Sequence, residues 1–191
     1  VGLTVSKEQY HYAKKLSQGW PIEILFKDYR DITGVFDRIS SIGMFEHVGP
    51  KNHKAYMKIA HRCLKNSGLF LLHTIGSNTS KYHPNPWIHK YIFPNGILPS
   101  IRQIGKASEG LFIMEDWHNF GAYYDRTLMA WFENFNKSWI FLKKDYDYAS
   151  FYRMWKYYLL ACAGAFRARD LQLWQIVFSK GGLINGYESI R

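Results

Sequence analysis

The sequence predicts an α/β fold built on a mostly parallel sheet. Up to Gly76, short apolar strand-like runs alternate with helix-length segments, which is the α/β pattern. The succession Phe36–Ile42, helix 51–64, strand 69–74 requires a crossover between parallel neighbours. With 191 residues, 47% hydrophobic and 21% charged, the chain suits one globular domain.

The elements follow in order. Residues 1–4 read as a short strand. Ser6 is placed to cap a helix over Lys7–Leu16, with Glu8 in its first turn. Gly19 and Pro21 end that helix, and 22–26 is the next strand, followed by a polar turn at Asp28-Tyr29-Arg30-Asp31. Strand Phe36–Ile42 leads into helix 51–64, which Asn66-Ser67-Gly68 closes. After Gly76 the pattern changes. The segment 77–99 holds prolines 84, 86, 94 and 99 with Trp87, Tyr91 and Phe93, and such long excursions are usually lids or binding loops. Ser100 is a second candidate cap, for a helix to Ser108. A strand at 111–117, aromatic-rich helices at 125–135 and 148–169, and a last strand at Leu171–Ser179 complete the reading.

Two polar clusters stand at strand ends. One is the run from Ile42 through Glu46 and His47 to Pro50, and the other is His73-Thr74-Ile75-Gly76. If their strands are parallel neighbours, both clusters lie at the carboxyl edge, where open α/β sheets bind ligands. Glu46 is then a candidate base, metal ligand, ribose anchor or holder of a small ion. Its alternative is a structural loop carboxylate, and for His73 a core histidine satisfied by backbone. Their joint placement favours function. A metal is not expected, because the adjacent Glu46 and His47 do not easily aim at one ion from a strand end. The run Asp116-Trp117-His118-Asn119-Phe120, with Tyr123 and Tyr124, adds hydrogen-bonding aromatics suited to an anion or carboxylate.

The formal charge of +10 favours an anionic partner. It is spread along the chain, and the densest pair, Lys143-Lys144, stands just ahead of Asp145 and Asp147, so a nucleic-acid groove is not expected. Aromatic residues make up 18% of the chain, more than a small core requires, and suggest an aromatic pocket or a membrane-facing surface. Cys63 and Cys162 lie far apart with no CxxC spacing, which points to reduced thiols in a cytoplasmic protein. No apolar run reaches transmembrane length. The chain opens on a strand with no initiator methionine, so it is expected to be part of a longer protein.

The blocks 36–52, 71–76, 90–96, 114–121 and 162–170 together resemble the cyclopropane-fatty-acyl-phospholipid synthases, and less closely the mycolic acid cyclopropane synthases. The resemblance spans almost the whole chain. It implies an S-adenosylmethionine-dependent methyltransferase (Rossmann-like) fold with helical insertions at about 77–110 and 120–168. It also implies a single partial catalytic domain over 1–191, truncated at its N-terminus. The first strand and its Gly-rich cofactor loop are missing, as is an upstream Cys of the anion site; no Gly-x-Gly-x-Gly occurs here.

The implied reaction transfers a methylene group from S-adenosylmethionine to a cis double bond of an unsaturated phospholipid acyl chain. It passes through a carbocation, which needs aromatic faces and exclusion of water. A bicarbonate ion takes the departing proton, held on the matching positions by Glu46, His73, Tyr124 and the backbone of Ile75. An anion beside a carboxylate is tolerable only because bicarbonate can donate its own proton to it. The cofactor positions implied are Thr4, Val5 and Gln9 for the methionine and ribose parts, Asp28 and Tyr29 beside adenine, and Ile42 packing nearby. The resemblance further implies a peripheral protein of the inner membrane surface drawn to anionic head groups, and a possible homodimer. The isolated chain is expected to be inactive. Two other readings remain: a non-catalytic basic module binding nucleic acid or an anionic membrane, and a lipid methyltransferase making methyl branches.

Overall fold

The computed structural model describes residues 1–142 and 148–189; the Lys143-Lys144 pair therefore lies outside the described residues. The order is β1 (Gly2–Thr4), α1 (Lys7–Leu16), β2 (Ile24–Phe26), a 3-10 turn (Tyr29–Asp31), β3 (Phe36–Ile42), α2 (Phe45–Val48), α3 (His53–Cys63) and β4 (Leu64–Ser77). It continues with α4 (Pro86–Tyr91), α5 (Ile101–Ser108), β5 (Ile113–Asn119), α6 (Gly121–Leu142), α7 (Tyr148–Arg167) and β6 (Leu171–Ser179).

Local chemistry explains the boundaries. The Ser6 side chain accepts from the Gln9 amide at 3.2 Å and starts α1. Ser100 and Gln103 form a reciprocal capping box on α5. Asn66-Ser67-Gly68, expected to close a helix, instead forms an irregularity inside a longer β4: Ser67 adopts φ 59° and the register with β3 slips between Phe36 and Arg38. The excursion 77–99 carries a short helix, α4, which Asn85 caps and Pro86 begins.

Among the described residues the strands form two sheets: β1–β2, and a four-stranded sheet ordered β3-β4-β6-β5. β1 and β2 are parallel, as are β3 and β4. β6 runs antiparallel to both β4 and β5, so the mostly parallel sheet contains one reversed strand. β1, α1 and β2 contact chiefly one another, and α1 buries no residue.

Alternation along β4 and β6 divides the core between the sheet's two faces. Phe70 and Leu72, with Trp174, Ile176 and Phe178, pack against Tyr56, Met57 and Ala60 of α3 and Ile104 and Ala107 of α5. On the other face, Ile75 and Leu173 meet Leu128 of α6 and Leu159, Ala163 and Phe166 of α7. Each fully buried large side chain contributes roughly 1.5–3 kcal/mol.

Close approach dictates Gly76. A Cβ there would lie 2.0 Å from the ring of Trp174, which is fully buried. Gly76→Ala should therefore destabilise the fold by about 1–3 kcal/mol; an unchanged denaturant midpoint would show that the ring can move aside.

Candidate functional site

β3 ends at Ile42, paired with His73, and the ladder extends one step further as the Gly43 amide donates to the His73 carbonyl at 3.0 Å. Gly43, at φ 62°, turns the chain into α2. Phe45 is fully buried, stacked on His53 at 4.2 Å and edge-on to Tyr56 at 5.3 Å. This anchor carries Glu46 to the end of β4. Glu46 is only 7% exposed. Its Oε1 accepts the Ile75 amide proton at 2.7 Å, and its carbonyl accepts from the Ile97 amide at 2.9 Å. Its Oε2 is buried without a hydrogen-bond partner. Burial pushes the Glu46 pKa up, partly opposed by its own and the Ile75 backbone hydrogen bonds, and further by the nearby Thr74 hydroxyl and the His47 charge.

His73 lies on the same sheet face as Ile75, two residues earlier. Its Nδ1 pairs with Gln175 Nε2 at 3.2 Å. An amide nitrogen only donates, so in this pairing Nδ1 accepts and the ring proton sits on Nε2. Burial lowers the His73 pKa, which favours the neutral ring. Gln175 was not singled out from the sequence. Its signal is a polar residue within the otherwise apolar stretch 173–178, directly opposite His73.

Tyr124 stands in the first turn of α6. Asn119 fixes that turn: its Oδ1 accepts from the Gly121 amide at 2.9 Å while its Nδ2 donates to Gln172 at 2.8 Å. The Tyr124 ring packs edge-on to Phe166 at 5.0 Å and Trp131 at 6.0 Å. Burial, followed by the Glu46 and Cys162 charges, raises its pKa and keeps the hydroxyl a donor. Tyr158 is pushed up to about 12 and Cys162 to about 11, both chiefly by burial. Glu46, the Ile75 amide and Tyr124 thus share one neighbourhood at the strand ends. His73 flanks it but is held by Gln175. The Ile75 amide is taken by Glu46 itself. His47 is exposed and meets Phe93 edge-on at 5.8 Å, and its charge acts to lower the Glu46 pKa.

The expected cofactor residues occupy the carboxyl ends of β1, β2 and β3. Thr4 Oγ1 donates to Gln9 Oε1 at 2.8 Å. Val5 and Ile42 are 67% and 68% exposed. Asp28 is held by Arg30 through three hydrogen bonds of 2.8–2.9 Å, which keeps its pKa low. Tyr29 packs edge-on to Tyr56 at 5.3 Å. Among the described residues, none of these side chains hydrogen-bonds to Glu46 or Tyr124. No cluster of His, Cys, Asp and Glu among the described residues could hold a metal, and no described helix is long and apolar enough to cross a membrane.

The profile of the mycolic acid cyclopropane synthetase family matches residues 1–176. The cyclopropane-fatty-acyl-phospholipid synthase of Escherichia coli K12 is 58% identical over 181 residues, covering 95% of this chain and 47% of that protein. Tuberculostearic acid methyltransferase UfaA1 of Mycobacterium tuberculosis is 30% identical over 191 residues, covering 94% and 44%. The chain thus spans about half the length of these curated relatives. Among solved structures, cyclopropane synthase MmaA2 from Mycobacterium tuberculosis superposes with a TM-score of 0.85 at 27% identity, covering 94% of this chain and 69% of that one. Mycolic acid cyclopropane synthase CmaA1 complexed with SAH and CTAB gives 0.80 at 28%, with the same coverage. The Rossmann-like methyltransferase fold expected from the sequence is the fold observed.

The raised Glu46 pKa has a stability consequence. The folded state holds the carboxyl proton above the ordinary 4.5, so unfolding releases it and stability falls as pH rises through that window. The stability of Glu46→Gln minus that of the parent should increase from pH 4 to pH 7. A flat difference in urea titrations would mean that Glu46 ionises normally.

Proposed function

The chain belongs to the mycolic acid cyclopropane synthetase family, and on that premise we propose that it is the greater part of the catalytic domain of a lipid-modifying enzyme. The reaction is methylene transfer from S-adenosylmethionine to the cis double bond of an unsaturated phospholipid acyl chain. The observation that carries this reading is Glu46: a buried carboxylate with one oxygen fixed by the Ile75 amide and the other without a partner.

That spare Oε2 suits a ligand that offers a proton at one end and accepts at the other. Bicarbonate has this pattern, and when bound it supplies the base for the proton lost from the new methyl. Glu46 Oε2 would accept its hydroxyl, while Tyr124 and the Nε2–H of His73 would donate to its oxygens. Glu46 then positions the base without acting as one. The Tyr124 ring, packed edge-on against Phe166 and Trp131, would offer an aromatic face to developing positive charge. S-adenosylmethionine supplies an electrophilic methyl group. Thr4, Val5, Gln9, Asp28, Tyr29 and Ile42 would hold it at the strand ends, where exposed Val5 and Ile42 offer apolar surface and Thr4 and Gln9 offer polar groups. A homodimer and peripheral association with a membrane belong to the same proposal.

A second product has support in the similarity to tuberculostearic acid methyltransferase UfaA1: the same cation resolved as a methyl branch. The nearly twofold higher identity to the E. coli cyclopropane-fatty-acyl-phospholipid synthase favours the ring.

Joining this chain to the upstream half of the E. coli relative, in cells lacking their own synthase, tests the reading. Lipid mass spectrometry should show acyl chains heavier by one methylene, with hydrogenation resistance separating ring from branch. A soluble chimera that binds S-adenosylmethionine but leaves lipids unchanged would overturn it. In that chimera Glu46→Gln should slow product formation by about 10²-fold or more with the fold intact; near-parent turnover would remove Glu46 from the site. The 191-residue chain alone, having no Gly-rich loop, should give no transfer to unsaturated vesicles.

A further inference from the structure

One surface combines fixed aromatic rings, positive charge and a direct structural route to Glu46. It is the strap 81–95, which carries α4, together with the exposed side of the first half of α7. Between Glu46 and Glu109 the chain has no Asp or Glu, and α7 has none over Tyr148–Arg167. Lys81 and Lys90 are exposed on the strap, and Arg153 and Lys156 are exposed on α7.

The rings among these cations stand partly in solvent: Tyr82 is 66% exposed, Tyr157 56%, Tyr91 46% and Phe93 42%. Contacts hold them in place. Trp87 meets Tyr157 edge-on at 4.5 Å and Tyr91 at 5.3 Å, and Lys90 Nζ lies 5.0 Å from the Tyr91 ring centre. Gln103 Nε2 of α5 pins the start of the strap by donating to the Lys81 carbonyl at 3.1 Å, and within the strap the Asn95 amide donates to His89 Nδ1 at 2.8 Å.

Inward from these rings, Phe93 meets Tyr158 edge-on at 6.0 Å, and two residues beyond Asn95 the Ile97 amide bonds the Glu46 carbonyl. The outer end of this route is aromatic and basic, and the inner end is the candidate site.

We infer that the strap 81–95 and the Arg153–Lys156–Tyr157 side of α7 seat the protein on an anionic phospholipid bilayer, placing the α4–α7 seam over the lipid. Amphipathic rings settle at the headgroup level, and Lys and Arg are drawn to anionic leaflets. Charge complementarity selects this occupant: an acid-free basic surface suits an anionic bilayer better than a neutral one. The inference rests on the lipid reading above, but its test reads binding alone.

The probe is sedimentation of the chain with phosphatidylglycerol–phosphatidylcholine vesicles against pure phosphatidylcholine, at about 0.1 M salt, where screening extends over about 10 Å. The chain should partition onto the anionic vesicles and be released by added salt. The double reversal Lys90→Glu with Lys156→Glu should weaken partitioning by about tenfold or more, each basic residue near such a surface being worth a several-fold factor. Lys14→Glu with Lys15→Glu changes net charge equally but on exposed α1, and should cost less than about threefold. Trp87→Ala with Tyr157→Ala should weaken partitioning while leaving its salt dependence. Equal losses from the two charge reversals, no preference for anionic vesicles, or duplex DNA displacing the vesicles at matched salt would each overturn the inference. Circular dichroism confirms that the exposed variants fold. Strap-dependent vesicle binding in a chimera that makes no product would sink the lipid-modification reading and leave this surface standing.

Discussion

The hydrogen bond from the Ile75 amide to Glu46 Oε1 joins two parts of the chain that are remote in sequence. It fixes the turn after β3 against the end of β4, and it brings a carboxylate into a place where burial opposes its charge. Several features serve that bond. Phe45 buries α2 against His53 and Tyr56, and Gly76 allows Trp174 to pack next to the strand end. The Ile97 amide ties the far end of the excursion to the Glu46 carbonyl. A buried carboxylate half satisfied by backbone and half unsatisfied is costly, and such costs persist where a ligand or a reaction uses them.

Much of this was legible in the sequence because local chemistry decides it. Ser6 capping α1, the limits of β3 and β6, and the Ser100 cap of α5 follow from side chains within a few residues. The parallel pairing of β3 and β4 follows from the length of the segment between them. The departures arise where distant contacts override local preference. The run 42–50 is bracketed by Gly43, Gly49 and Pro50, which read as a loop; α2 forms within it where Phe45 finds a buried slot. Asn66-Ser67-Gly68 carries turn chemistry, but pairing of Phe36 with Leu64 and of Ser67 with Lys180 draws it into a strand. The reversed direction of β6 leaves no mark on its apolar run.

The candidate site divides the same way. Residue types at strand ends pointed to Glu46 and His73, and the family resemblance added Tyr124. What neither could give is the state of each group: Glu46 bound on one oxygen only, His73 turned to Gln175, and the first turn of α6, with Tyr124, set by an Asn119–Gln172 pair over fifty residues apart in sequence. These depend on which face of β4 and β6 meets α6 and α7, a property of the assembled sheet.

The division of the sheet has a thermodynamic consequence. β1, α1 and β2 are joined to each other by short-range contacts and bury little, whereas β3, β4, β6 and β5 share a core on both faces. Cooperativity requires shared burial, so within this chain the first unit has less packing than the second to hold it closed. The two units meet at the expected donor positions, because Tyr29 packs on Tyr56 and Ile42 ends β3. A ligand spanning Thr4, Tyr29 and Ile42 would therefore tie them together and raise the cost of opening the less buried one.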